Sequence, residues 1–261
     1  MRAVMRIARP QVRNVLRSRW LVCYLVFFVT IAEGLLRFTG GDAKMILSLA
    51  NIVLFVVPMV TVIYGTIYLY NCREFIELLL AQPIKRSSLF GGLYIGLAAP
   101  LILALVLGIS LPFVFHGFAE GQRTALLILV AGGAALTAIF TAIAFSVALR
   151  FEDRLTGLGA GLAIWLLLAL VYDGLLLLVI SMSEQPMEKG LLVAALANPI
   201  DLVRIALLLQ FDVAALMGYT GAVFRRFFSP GTGAAILVVA IAAWVALPVA
   251  GGFLRFRRKD F

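Results

Sequence analysis

Residues 45–70 read MILSLANIVLFVVPMVTVIYGTIYLY, and not one of them is charged. A helix needs about 20 predominantly apolar residues to cross the hydrocarbon core of a bilayer. This stretch meets that length, so lipid must be part of the solvent for the chain. The whole sequence agrees. Of its 261 residues, 63% are hydrophobic and only 13% are charged. An average soluble domain is about half apolar and about a quarter charged, and a soluble fold of this length could not hide so much apolar surface.

On the N-terminal side, a short loop from Thr39 to Lys44 precedes the stretch, and a first span from Trp20 to Phe38 precedes the loop. On the other side, a charged stretch from Asn71 to Ser88 leads to a third span, Leu89 to Phe115. The loop His116 to Arg123 leads to a fourth, Thr124 to Leu149. A tight charged turn, Arg150 to Arg154, precedes the fifth span, Leu155 to Ile180. A mixed segment, 181–231, separates it from the sixth, Thr232 to Leu254, and Arg255 to Phe261 close the sequence. The expected fold is an all-α membrane protein with six transmembrane helices, one transmembrane domain over residues 1–261.

Ahead of the first span, within residues 1–19, lie Arg2, Arg6, Arg9, Arg13 and Arg17. Steps of three and four residues put them on one helical face. Val4, Ile7, Val12, Val15 and Leu16 fall mainly elsewhere. This is an amphipathic helix suited to the inner leaflet, kinked or broken at Pro10. A cleaved signal peptide does not fit, because the apolar run from Trp20 is long and lacks a small-x-small cleavage site.

The net charge of +9 invites a nucleic-acid reading, but the cations sit beside the ends of apolar runs. Of the 22 lysines and arginines, fifteen fall on the side of the N-terminus, the 71–88 loop, the 150–154 turn and the C-terminal tail, and seven fall on the other. The positive-inside rule then places both termini in the cytosol. Nucleic acid is not an expected partner; the bilayer is.

The residues offer no catalytic centre. No GxxxxGK[ST] phosphate loop, HExxH or GxSxG is present, and the single histidine, His116, lies in an external loop. Cys23 and Cys72 have no CxxC partner and read as free thiols in a reducing compartment. No metal site and no cofactor is expected in the chain. Two acids fall inside spans, Glu33 and Asp173, both toward the outer ends. Acids in a membrane are costly and often functional. Glu33 is four residues before Arg37, which allows a helical ion pair, and pairing or snorkelling at the interface is the plain account of both. Gly92 with Gly96, and Gly157 with Gly161, have the spacing that lets helix backbones approach closely.

Two segments stand out. The loop at 71–88 begins a short amphipathic helix with Arg73, Glu74 and Glu77. Phe75, Leu78 and Leu79 form its apolar side, Pro83 ends it, and Lys85 and Arg86 mark the membrane surface. Such a helix suits a groove in a partner, or it lies at the interface with no partner. In the segment 181–231, Asn198 is a helix cap with Pro199 at the first position and Asp201 in the first turn. Gly218, Gly221, Arg225 and Arg226 interrupt the rest of the segment. A pair of helices dipping into the outer leaflet fits better than a surface loop, and such backbone is tolerated where protein or water covers it. That places Asn198, Pro199, Asp201 and Arg204 at an external gate or partner contact.

The run from Glu77 to Arg86, with its leucines, proline and basic residue before LFGGLY, resembles the first cytoplasmic loop of type-2 ATP-binding-cassette permeases. Six spans, a basic N-terminal elbow helix and external re-entrant helices between spans five and six are similar to that family's layout over the whole chain. The NPxDxxR run from Asn198 to Arg204 and ALMGYTGAVF beyond it narrow the resemblance to permeases of nitrous-oxide reductase maturation systems. The resemblance implies a non-enzymatic subunit of the bacterial inner membrane, with ATP and magnesium held by a separate ATPase. The 71–88 segment would be its coupling helix, involving Glu74, Phe75, Glu77, Leu78, Leu79, Pro83 and Arg86. It also implies a second copy of the chain and a periplasmic accessory protein as partners. A dimer packed through the first and fifth spans, using Gly157 and Gly161, is the expected assembly. A secondary carrier would need paired polar groups near the membrane centre, which the sequence offers sparingly; a structural or assembly protein is the third class.

Overall fold

A computed structural model of the chain describes residues 2–39, 43–117, 122–182, 188–210 and 232–258. Among them every regular element is helical: α1 (Arg2–Leu16), α2 (Arg19–Thr39), α3 (Ala43–Asn71), α4 (Arg73–Leu80), α5 (Arg86–His116), α6 (Gln122–Arg150), α7 (Arg154–Leu166), a π segment (Leu167–Val171), α8 (Tyr172–Met182), α9 (Glu188–Ala197), α10 (Pro199–Gln210) and α11 (Thr232–Arg258). Six stretches are long and apolar enough to cross a membrane: Arg19–Phe38, Met45–Asn71, Arg86–His116, Gln122–Arg150, Arg154–Val179 and Ala235–Arg257. The fifth is α7, the π segment and most of α8 taken together. These are the six expected spans, displaced by a few residues at their ends.

α3, α5 and α6 form the centre. Over an apolar stretch of 18 residues in each, 50%, 56% and 56% are buried within the chain, against 22% in α2, 6% in the fifth span and 11% in α11. α5 and α6 are apolar around their whole circumference, as helices surrounded by protein and lipid must be. Association in lipid gains little from water exclusion, so it relies on packing, and small residues bring backbones together. At Gly65 an added Cβ would lie 2.9 Å from the Ala144 side chain, and at Gly108 2.8 Å from Phe28. The first contact joins α3 to α6, and the second joins α5 to α2.

α1 is amphipathic as read, and its partner is α5. Ile7, Ala8, Gln11 and Val15 are buried, while Arg6, Arg9, Arg13 and Arg17 are exposed. Gly92 and Gly96 on α5 make room for this face: an added Cβ would meet Ile7 at 2.7 Å and Gln11 at 2.6 Å. The Tyr68 hydroxyl donates to Gln11 Oε1 at 2.9 Å, satisfying the amide oxygen on the buried face. The helix continues through Pro10 without a break. The proline cannot donate to the Arg6 carbonyl, but both residues lie on the exposed face, where solvent can satisfy that oxygen.

Candidate coupling face and external charge cluster

One end of the bundle gathers the end of α3, α4, the start of α5, the α6–α7 turn and the end of α11. α4 is a two-turn helix that ends at Leu80, two residues before the one that precedes Pro83. Its anchor is Ile76, fully buried beneath the helix, a residue the sequence reading did not single out. Phe75 and Leu79, assigned to a free apolar side, are partly buried and packed against the core of this same chain. Of that trio only Leu78 is presented outward, 69% exposed. A helix of two turns has one inward stripe, and here Phe75, Ile76 and Leu79 occupy it. Glu74 and Glu77 are exposed. Pro83 lies in the exposed turn after α4. Arg86 is the first residue of α5, and its guanidinium donates to the Arg257 carbonyl on α11 at 3.2 Å.

Arg73 is the centre of this face. Its guanidinium donates to the carbonyls of Glu152 at 2.9 Å and Phe151 at 3.0 Å, with Ala148 at 3.5 Å. These are carbonyls left open where α6 ends, and a cation there also complements the helix dipole. The same guanidinium stacks over the Tyr70 ring, 4.4 Å from its centroid. The Tyr70 hydroxyl lies 2.9 Å from the Phe151 carbonyl and 3.1 Å from that of Asp153. Asp153 caps α7: its carboxylate accepts from the Thr156 N–H and hydroxyl, both at 2.8 Å. Those hydrogen bonds hold its carboxyl below the usual carboxylate range. Cys72, between Tyr70 and Arg73, is buried, and burial pushes its thiol up to about 11.

The glycine pair Gly157 and Gly161 faces inward, which corrects its expected role. A Cβ at Gly157 would collide with the Tyr70 ring, and one at Gly161 would lie 2.7 Å from Val62. Both glycines therefore seat α7 on α3 of the same chain and are not available to a second copy. Gly92 and Gly96 likewise serve α1. One turn beyond Gly161, Trp165 Nε1 donates to the Phe55 carbonyl at 3.2 Å, and the two rings meet edge to face at 4.9 Å.

The other end holds the second cluster. Asn198 caps α10 as expected, its Oδ1 accepting from the Ile200 N–H at 3.1 Å. Its Nδ2 donates to Asp201 Oδ2 at 3.0 Å and to the Leu168 carbonyl at 2.8 Å. Leu168 belongs to the π segment, where the i→i−4 ladder is interrupted and a carbonyl is left open. Arg204 bridges two carboxylates, Asp173 on α8 at 2.6 Å and Asp201 at 2.8 Å. Pro199 is buried at the first position of α10. The sequence placed Asp173 and the Asn198–Arg204 run in different elements, and the structure brings them into one network. Two further bonds tie this region down: Tyr172 donates to the Ala194 carbonyl at 2.6 Å, and Trp244 Nε1 to that of Leu196 at 2.9 Å. Val203 packs tightly onto Gly132 of α6.

Glu33 pairs with Arg37 at 2.7 Å, the helical pair expected. His116 is the last residue of α5 rather than a loop residue, with Nε2 3.5 Å from the Glu33 carboxylate. The readings that fall at Gly218, Gly221, Arg225, Arg226 and the ALMGYTGAVF run lie outside the described residues.

No family profile matches the chain. Over 278 residues it is 26% identical to a protein described as a probable ABC transporter permease protein NosY from Stutzerimonas stutzeri, covering 99% of each. It is also 26% identical, over 285 residues and 99% of each, to the protein of the same description from Pseudomonas aeruginosa. The resemblance to ATP-binding-cassette permeases is borne out by relatives that match from end to end, on a multi-pass helical membrane protein.

Proposed function

We propose that this chain is the permease subunit of an ATP-binding-cassette transporter, and that a separate ATPase subunit drives it through the face built on α4. The observation that carries the reading is the end-to-end match to permeases on a six-span scaffold. The cation bias of fifteen to seven supports a cytosolic location for that face and both termini, in a bacterial inner membrane. α1, packed on α5 with its arginines outward, serves as the elbow helix at the inner surface. α9 and α10 act as re-entrant helices. In support, Asn198 and Arg204 reach Leu168 and Asp173 within the fifth span. Two copies form the working unit, meeting through the outward faces of α2 and the fifth span, where Trp20, Val26, Leu170 and Leu177 are exposed. The NPxDxxR resemblance supports a role in nitrous-oxide reductase maturation, with a periplasmic accessory protein docking over α9 and α10. The complex either moves a cargo or transmits motion across the membrane.

The test is affinity purification of the tagged chain from its own host. A P-loop ATPase in stoichiometric amount is the expected result; its absence refutes the reading. One observation favours a secondary carrier instead: Asp173, Arg204 and Asp201 sit against an interrupted span. In that case transport would collapse with an uncoupler and would need no ATPase.

A further inference from the structure

Resting on the permease reading, we infer that the fifth span, from α7 through α8, is the lever that carries movement from α4 to α10, with Arg73 and Arg204 as its two fastening points. At the α4 end, Arg73 and Tyr70 together bind the carbonyls of residues 151, 152 and 153. Several hydrogen bonds to consecutive carbonyls fix both distance and angle, and Tyr70 also rests on Gly157 in the first turn of α7. Displacement of α4 therefore reaches α7 without slack.

Between its ends, Gly157, Gly161 and Trp165 of the α7 half are buried, whereas no residue from Leu166 to Val179 is buried within the chain. Its contact with α3 lies in the α7 half, over Gly157, Gly161 and the Phe55–Trp165 pair. At the far end the attachment becomes specific again. The π segment leaves the Leu168 carbonyl for Asn198, and Asp173 takes Arg204 at 2.6 Å. Charge-assisted bonds are directional and strong, and they join α10 to this span beside the apolar seat of Val203 on Gly132 of α6. Coupling between distant sites needs an element that both ends bias; this span is hydrogen-bonded to Tyr70 and Arg73 across the turn at its start and to α9 and α10 at its far end.

The test uses the complete transporter with its ATPase, in which Cys23 and Cys72 are replaced and an environment-sensitive fluorophore is placed at exposed Leu178→Cys on α8 or Val193→Cys on α9. With otherwise wild-type sequence, both positions should respond to ATP. Arg73→Ala should silence both. Tyr172→Phe, Asn198→Ala and Arg204→Ala combined, which remove the bonds at Ala194, Leu168 and Asp173 that tie this span to α9 and α10, should silence position 193 and spare 178, an order that general loss of folding would not produce. Tyr70→Phe and Asp173→Asn, which keep side-chain size, should give weaker versions of the same two patterns if the alanine variants assemble poorly. Wild-type responses at both positions in Arg73→Ala, or at 193 in the triple variant, would overturn the lever. So would silence at both positions in a wild-type complex that binds and hydrolyses ATP. Absence of any bound ATPase refutes instead the permease reading beneath it.

Discussion

Arg204 Nη1 stands 2.6 Å from Asp173 and 2.8 Å from Asp201, one guanidinium holding a carboxylate on α8 and another in its own helix. The three are unequal in exposure. Asp201 is 9% exposed at its side chain, while Arg204 and Asp173 are 34% and 31% exposed. Removing the arginine leaves Asp201 buried without its cation, with the Asn198 amide 3.0 Å away still donating to it. Stripping the partner from a fully buried charge costs about 3–5 kcal/mol and from an exposed one under about 1, so this intermediate site should lose about 1–3. Arg204→Ala should lower the melting temperature of the purified protein in detergent, and Asp173→Asn should lower it less. Equal melting of Arg204→Ala and wild type would show the pair to be incidental.

Gly157 and Tyr70 form a second coupled pair. A methyl group at position 157 has no room beside the Tyr70 ring, and overpacking of this kind costs about 1–3 kcal/mol. Gly157→Ala should therefore destabilise the protein, and Tyr70→Ala should absorb much of that loss by removing the obstacle. A double-mutant cycle on thermal or chemical stability should give a coupling of about 0.5–3 kcal/mol. Strict additivity would mean that α7 does not rest on Tyr70.

The α7 cap gives a pH dependence with a definite sign. Hydrogen bonds from Thr156 lower the Asp153 carboxyl in the folded chain. A depressed carboxyl contributes stability that is present above its unfolded value, about 3.9, and is lost as pH falls through the folded one. Asp153→Ala should thus lower the melting temperature at neutral pH, and the gap from wild type should close on acidification below about pH 4. A gap that stays constant with pH would assign the effect to something other than the charged cap.

The spans were legible because the signal is additive: long charge-free runs announce themselves whatever they pack against. The Asn198 cap and the Glu33–Arg37 pair were legible for a related reason, since each partner lies within four residues of the other. What escaped was long-range. Arg73 looks like any helix-start cation, and nothing in its neighbourhood says that the carbonyls of residues 148–152 will lie within reach. LLALV at 167–171 carries no mark of a π segment. The glycine pair in α7 signalled close approach correctly, but the partner proved to be Tyr70 and Val62 of the same chain. In α4 the apolar residues were visible, while their division between core and surface depended on where α3 and α5 lie.

That division supports a final prediction about α4. Ile76 is fully buried and Leu78 is 69% exposed, two residues apart on one short helix. Truncating a buried Ile removes its packing and leaves a cavity, at about 2–5 kcal/mol. Ile76→Ala should therefore reduce stability and, through it, every activity of the complex. Leu78→Asp removes little internal packing, so the purified chain should melt close to wild type. If the exposed side of α4 seats in a groove of the ATPase, a charge placed there is desolvated without a partner, which is costly at an interface. Leu78→Asp should then lose the ATPase in a pull-down from membranes holding equal amounts of each chain. Glu77→Ala should weaken coupling with less effect on retention, because Glu77 is exposed and makes no ion pair among the described residues. Leu79→Asp is the poorer probe, since Leu79 packs inward and its effect would mix folding with docking. A Leu78→Asp chain that retains the ATPase and full activity would reduce α4 to an interfacial loop and remove the coupling role from this face.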